Sequence, residues 1–161
     1  NTDGWSVEDG LEIATFATGA KFVPSVEGNF IQTRNFMVDI FQRTSSTTIF
    51  TLTVQPDAQG QLLLTPIEAN LLEGTYNLLV KAPSYLRKFV RDVVITSSAN
   101  VALPKLRGGD MNNDGVINSF DWSFMNDRWF GTDLTADLNR DGVVNSIDFS
   151  FMNKNWGLMQ D

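Results

Sequence analysis

Two domains are predicted, an all-β sandwich of immunoglobulin-like type over residues 1–106 and a small all-α unit of two loop–helix repeats over residues 107–161. Short strand-like stretches separated by turn residues fill the first of these, the pattern of a sandwich. The second writes one segment twice. Asp110–Trp129 reads DMNNDGVINSFDWSFMNDRW, and Asp137–Trp156 reads DLNRDGVVNSIDFSFMNKNW. Between the two, Pro104–Gly109 with its Gly108-Gly109 pair is a link too short to swing freely, so the domains are expected to touch.

The candidate strands are Leu11–Thr18, Phe36–Arg43, Thr48–Val54, Gln61–Thr65, Tyr76–Ala82, Phe89–Thr96 and Asn100–Leu103. Each alternates or runs as a short block of Val, Ile, Thr and Phe. Thr44-Ser45-Ser46, Pro56–Gly60, Glu73-Gly74 and Ala82-Pro83-Ser84 supply turn chemistry between them. Phe36, Val38 and Ile40 share one face of their strand. Ile67–Leu72 reads as a loop or a single turn. Glu12, Glu27, Asp39, Asp57, Glu68, Glu73 and Asp92 are scattered and read as solvated strand faces and turns. Trp5 alone among the Trp residues lies in this domain, which argues against an aromatic sugar platform.

In the repeats, Asp110, Asn112 and Asp114 place oxygens on alternate residues. Gly115 permits a sharp turn that brings in the carbonyl of Val116, and Asp121 closes the set from the first turn of a helix. Asp137, Asn139, Asp141, Gly142, Val143 and Asp148 repeat this at the same spacing. Such EF-hand-like loops suit a hard divalent cation. Oxygen donors without His or Cys point to calcium rather than zinc or copper, and magnesium prefers octahedral sites that keep several waters. The bland alternative is a pair of solvated Asx turns.

The bulk composition agrees. The six loop aspartates (Asp110, Asp114, Asp121, Asp137, Asp141, Asp148) account for nearly all of the net charge of −7. Acidity is thus a property of the loops. The chain has no Cys and no His, which excludes a disulfide framework, thiol chemistry and the usual general base near neutral pH. No basic cluster suggests nucleic acid. No apolar run is long enough to span a bilayer and no signal peptide is evident, so a mature or excised fragment is expected.

Ser119 and Ser146 are expected to start the two helices, with Gly131 and Gly157 as stops. Thr132–Ala136 suffices for a bend or one turn. A unit this small needs staples, and two bound ions would supply them; without the ions it is expected to unfold. At 3.6 residues per turn, Trp122, Met125 and Trp129 share a stripe, as do Phe149, Met152 and Trp156, and these are expected to pack together. Phe120 and Phe124, with Ile147 and Phe151, form a second stripe flanked by Ser119, Ser123, Ser146 and Ser150. An apolar stripe left after the core is filled marks an interface, either with a partner or with the β-domain.

The repeat pair resembles a dockerin, the calcium-binding module that docks onto cohesin domains in cellulosomes and related extracellular assemblies. The resemblance covers Asp110–Trp156, with Asp where an ordinary EF-hand has Glu at the last ligand position. It implies two Ca²⁺ ions. The implied ligands are Asp110, Asn112, Asp114, the Val116 carbonyl, Asn118 and Asp121, and then Asp137, Asn139, Asp141, the Val143 carbonyl, Asn145 and Asp148. It also implies a partner face of Ser119, Phe120, Phe124, Asn126 and Asp127 with Ser146, Ile147, Phe151, Asn153 and Lys154. Dyads of Ser with Phe or Ile, rather than hydroxyl pairs, lean towards a hydrophobic, type II-like interface. The β-domain is similar to the X module found before some dockerins, on the stretch GTYNLLVKAPSYLRKFVRDVVIT from Gly74 to Thr96.

The function this implies is non-catalytic: a secreted or cell-surface docking module that anchors its parent protein through a cohesin. Because the helices are near copies, the partner could sit in either of two orientations. The rivals are a structural calcium-stabilised module of a surface or adhesion protein, whose Phe120 and Ile147 stripes would be buried on the sandwich, and a glycan-binding module.

Overall fold

The computed structural model describes residues 19–28, 35–63 and 71–161. The expected strand Leu11–Thr18, Trp5, Glu12, Glu68 and most of Ile67–Leu72 lie outside the described residues. Three short sheets carry the β region. Strands β1 (Lys21–Val26), β4 (Leu62–Leu63) and β8 (Asn100–Leu106) form one in the order β4-β1-β8. Strands β2 (Phe36–Gln42), β3 (Thr48–Val54), β5 (Gly74–Lys81) and β7 (Lys88–Ile95) form an antiparallel sheet in the order β3-β2-β5-β7. Strand β6 (Ser84–Tyr85) pairs with β9 (Gly108–Asp110), and helices α1 (Ser119–Asn126) and α2 (Ser146–Lys154) follow.

Strand β2 shows why the larger sheet forms. Phe36, Val38 and Ile40 are fully buried, while Met37 between them is exposed. Opposite them Leu52 is buried, with Thr51 and Thr53 turned to solvent. Leu78 and Val80 of β5 continue the inward row, and Phe22 and Val26 of β1 with Val101 and Leu103 of β8 join the same apolar cluster.

The strand expectations fail where Pro or Gly intervenes. Strand β1 contains Pro24, and β8 runs through Pro104 rather than stopping at Leu103. The pairing of β1 with β8 is parallel, and its register breaks between Val23 and Ser25, where the partners jump from Ala102 to Lys105. Both prolines therefore sit at the irregularity, where a missing N–H costs no ladder bond. Strand β9 is the Gly108-Gly109 segment taken for a plain link. It also carries Asp110, the first residue of the first loop.

The two regions share one core. The buried cluster passes from the sheets through Tyr85 and Leu106 to Met111, Ile117, Met125, Leu138, Val144 and Met152. Ser84 Oγ donates to the Thr135 carbonyl at 2.7 Å, and Tyr85 Oη donates to the Glu27 carbonyl at 2.7 Å. Gly109 has φ +131°, and a Cβ there would come within 3.0 Å of Met152 Cα, so α2 seats directly on β9 backbone.

Candidate metal and docking site

Each repeat folds as a polar loop feeding a helix. Asp110 is fully buried at the end of β9, and its Oδ1 accepts from Gly115 N–H at 3.3 Å. Asn112 Oδ1 accepts from Asp114 N–H, and Asp114 Oδ1 from Val116 N–H, each at 2.9 Å. Asp121 closes the loop: Oδ1 takes the N–H groups of Met111 (2.7 Å) and Asn112 (3.2 Å), and Oδ2 takes that of Asn118 (2.8 Å). The second loop repeats the scheme. Asp148 Oδ1 accepts from Leu138 and Asn139 at 2.8 and 3.1 Å, and Oδ2 from Asn145 at 2.9 Å. Asn139 and Asp141 accept from Asp141 and Val143 N–H, both at 3.0 Å. Asn113 and Arg140 occupy left-handed backbone at φ 58° and 60°, and Gly115 and Gly142 follow at 87° and 94°. The sequence identity of the loops is thus matched by identity of backbone path.

The helix caps lie one residue earlier than expected. Asn118 and Asn145, not Ser119 and Ser146, are the N-caps, accepting from Phe120 and Ile147 N–H at 2.8 and 2.7 Å. Asp121 and Asp148 return the bond to the cap backbone, completing capping boxes. Helix α1 ends at Asn126, short of Gly131, with Phe130 in left-handed backbone at φ 61°. The helix exits are cross-tied: Phe130 N–H donates to the Val144 carbonyl and Val144 N–H to Gly131. One repeat later, Gly157 N–H donates to Ile117 and Ile117 N–H to Leu158. Each exit thereby binds the loop of the other repeat, an internal twofold. Gln160 N–H then reaches the Gly115 carbonyl at 2.9 Å, and Lys88 pairs with Asp161.

Asx turns account for Asn112 and Asp114, but not for Asp110, whose Oδ2 is buried with no hydrogen-bond partner. Burial pushes the Asp110 carboxyl up, only partly offset by Gly115 N–H, and Asp121 pushes it further. Burial likewise raises Asp148. These are buried carboxylates whose charge the protein's own donors compensate only in part, which an ion would correct. Among the described residues no group of three Asp, Glu, His or Cys side chains is placed to hold a metal. A cation would therefore draw further oxygens from the Asn amides and the Val116 and Val143 carbonyls. Asn118 Nδ2 and Asn145 Nδ2 already lie 3.4 and 3.0 Å from those carbonyls.

The helices divide their apolar residues much as their spacing predicts. Met125 and Met152 are fully buried. Trp122 meets Phe149 edge-on at 4.8 Å between ring centroids, and Trp129 packs on Trp122 at 5.6 Å. Trp156, expected in this core stripe, is 46% exposed. Its neighbour is a glycine where Trp129 has Phe130, whose ring is 6.1 Å away. Phe120 and Ile147 stand 70% and 50% exposed, so neither is buried against the sheets. Phe124 and Phe151 are half-buried, and the Arg128 guanidinium lies 3.4 Å from the Phe124 ring centroid. Ser119, Asn126, Asp127, Ser146, Asn153 and Lys154 are exposed around them.

Sequence reasoning missed Glu27, which it read as a solvated acid. Glu27 is 3% exposed. Arg107 Nη1 (2.8 Å), Gly108 N–H (3.2 Å), Lys154 Nζ (3.4 Å) and Asn155 Nδ2 all converge on its carboxylate. Burial alone would push the carboxyl up, but Asn155, Arg107, Gly108 and Lys154 together hold it below its ordinary value. Lys154, expected on the partner face, is thus also tied to the β region. No local signal marks Glu27, because its partners lie far along the chain.

Residues 108–157 match the dockerin type I domain. The dockerin match begins in β9 and ends past α2. No curated protein matches the chain. Among the solved structures similar to this chain are two cohesin–X–dockerin complexes. One is an N-terminal interface mutant of a type II cohesin–X–dockerin complex from Acetivibrio cellulolyticus, 20% identical, covering 88% of this chain and 98% of its own, with a TM-score of 0.62. The other is a C-terminal interface mutant of that complex, 23% identical, covering 89% and 97%, with a TM-score of 0.61. The fold of the described residues is therefore similar to that of these two chains, and residues 108–157 are similar to a dockerin.

Proposed function

We propose that this chain is a calcium-dependent docking module whose helix pair binds a cohesin and so anchors its parent protein in an extracellular, cellulosome-like assembly. The observation that carries the reading is the pairing of two matched polar loops with an exposed Phe120 and Ile147 on the helices they launch. In this reading each loop holds one Ca²⁺ through the donors named above, Asp110 to Asp121 and Asp137 to Asp148, in an EF-hand-like site. The ion neutralises the loop carboxylates and fixes the helix it precedes. In the same reading the chain divides into a β region up to residue 106 and a docking unit over 107–161. The rival in which calcium merely stiffens a stalk would bury Phe120 and Ile147, which are exposed.

The test is affinity for type I and type II cohesins with calcium and with chelator. Binding is expected only with calcium, and Phe120→Ala/Phe124→Ala combined with Ile147→Ala/Phe151→Ala should abolish it. Wild-type affinity in that quadruple variant would overturn the interface.

A further inference from the structure

The β3-β2-β5-β7 sheet carries a second site. Phe41, Asn77 and Phe89 alternate with the inward Ile40, Leu78 and Val80, and so share the sheet's other face. There they line a cleft of about 330 Å³ together with Arg43, Arg91 and the Thr44–Ser46 turn, none of them from the docking unit. Its walls are built. Asn77 is 8% exposed; its Oδ1 accepts from Asp92 N–H at 3.1 Å and its Nδ2 donates to the Arg43 carbonyl at 3.3 Å, so one buried amide ties both rims. Asp92 stands in left-handed backbone at φ 55° where the β5–β7 register slips. A strained bulge on an exposed strand is explained by what it aims, here Asp92 at Arg43 Nε, 2.6 Å away.

The lining chemistry selects a ligand class. Phe41 and Phe89 meet edge-on at 6.1 Å, and the Arg91 guanidinium lies 5.2 Å from the Phe89 centroid. In a chain of net charge −7, this cleft presents the Arg91 guanidinium, while Arg43 at its rim is paired with Asp92. Apolar rings beside guanidinium and hydroxyl groups suit a molecule with a C–H face, hydroxyls and one anionic group. The volume is at the lower end of ligand pockets, about 300–1,000 Å³, which fits a single sugar ring.

We propose that this cleft binds a uronate sugar residue. Its carboxylate meets the Arg91 guanidinium, on the side of the cleft away from Asp92, its C–H face lies on Phe41 and Phe89, and its hydroxyls meet the Ser45–Ser46 turn.

The test titrates the full chain, calcium present, with methyl β-D-glucuronide while backbone amide resonances are followed. Methyl β-D-glucoside, which lacks only the carboxylate, and sodium acetate serve as comparisons. Saturable shifts confined to residues 41–46, 77 and 89–92 are expected with the glucuronide alone. Arg91→Gln, an exposed substitution, should weaken them by at least about tenfold, with melting temperature and cohesin affinity unchanged. Absence of saturation, equal response to the neutral glucoside, equal response to acetate, or full affinity in Arg91→Gln would each overturn the proposal. Failure here leaves the docking function untouched, since no docking residue lines the cleft.

Discussion

Asp110 and Glu27 are both buried acids, and they differ in what surrounds them. Asp110 has one oxygen with no partner, and its carboxyl is pushed up. Asp110→Ala should therefore remove one loop's share of the calcium-dependent rise in melting temperature, read by calorimetry with calcium and with chelator. Glu27 is surrounded by donors and held down. A carboxyl lowered on folding contributes stability above its unfolded value, near 4.5, and loses that contribution as pH falls through the lowered folded value. Arg107 and Lys154 are the charged groups facing it. The stability difference between wild type and Glu27→Gln should thus hold steady down to pH 4.5 and shrink as pH falls further, measured by denaturant midpoints. Glu27→Ala, which strands Asn155 and Gly108 N–H, should cost about 3 kcal/mol. The loop that Asp110 opens was legible because its residues are sequence neighbours. The Glu27 role was not, since Arg107, Lys154 and Asn155 reach it only after the sheets are assembled.

At the scale of elements, apolar and β-branched runs located β2, β3, β5 and β7 nearly to the residue, most cleanly at β2, where Phe36, Val38 and Ile40 alternate inward. Pro24 hid β1, Pro104 cut β8 short, and Gly108-Gly109 disguised β9 as a linker. Each departs from strand composition where no ladder bond or no side chain can be accommodated. The helices were legible from their stripes, but their caps were placed at Ser rather than at Asn118 and Asn145. Those Asn residues were read as part of the loop, and they serve loop and helix at once. Asn118→Ala and Asn145→Ala should each cost about 1 kcal/mol, and a Ser119→Ala change almost nothing, by thermal melts. Gly109→Ala makes a sharper test. It demands left-handed backbone and drives a Cβ against Met152. A loss of about 2–3 kcal/mol is expected, with β9 and α2 forced apart.

The whole molecule breaks the symmetry that its repeats suggest. The cross-ties of the helix exits obey the internal twofold, and so do the loops. The β region does not: Glu27 grips Lys154 and Asn155 at the end of α2, whereas the corresponding Asp127 and Arg128 of α1 are held by no β-strand residue among the described contacts. The outer stripes differ as well, with Arg128 over Phe124 in the first repeat and no equivalent cation at Phe151, where Asn155 turns inward. A partner turned by half a revolution would meet Ile147 in place of Phe120 and find the β region at its other end. The two orientations that the duplicated sequence suggests are therefore unequal in this chain. Phe120→Ala/Phe124→Ala and Ile147→Ala/Phe151→Ala, measured separately against one cohesin, should differ by about tenfold or more in affinity, a gap of about 1.4 kcal/mol. Equal losses would mean that the partner reads only the twofold part of the surface and takes both poses.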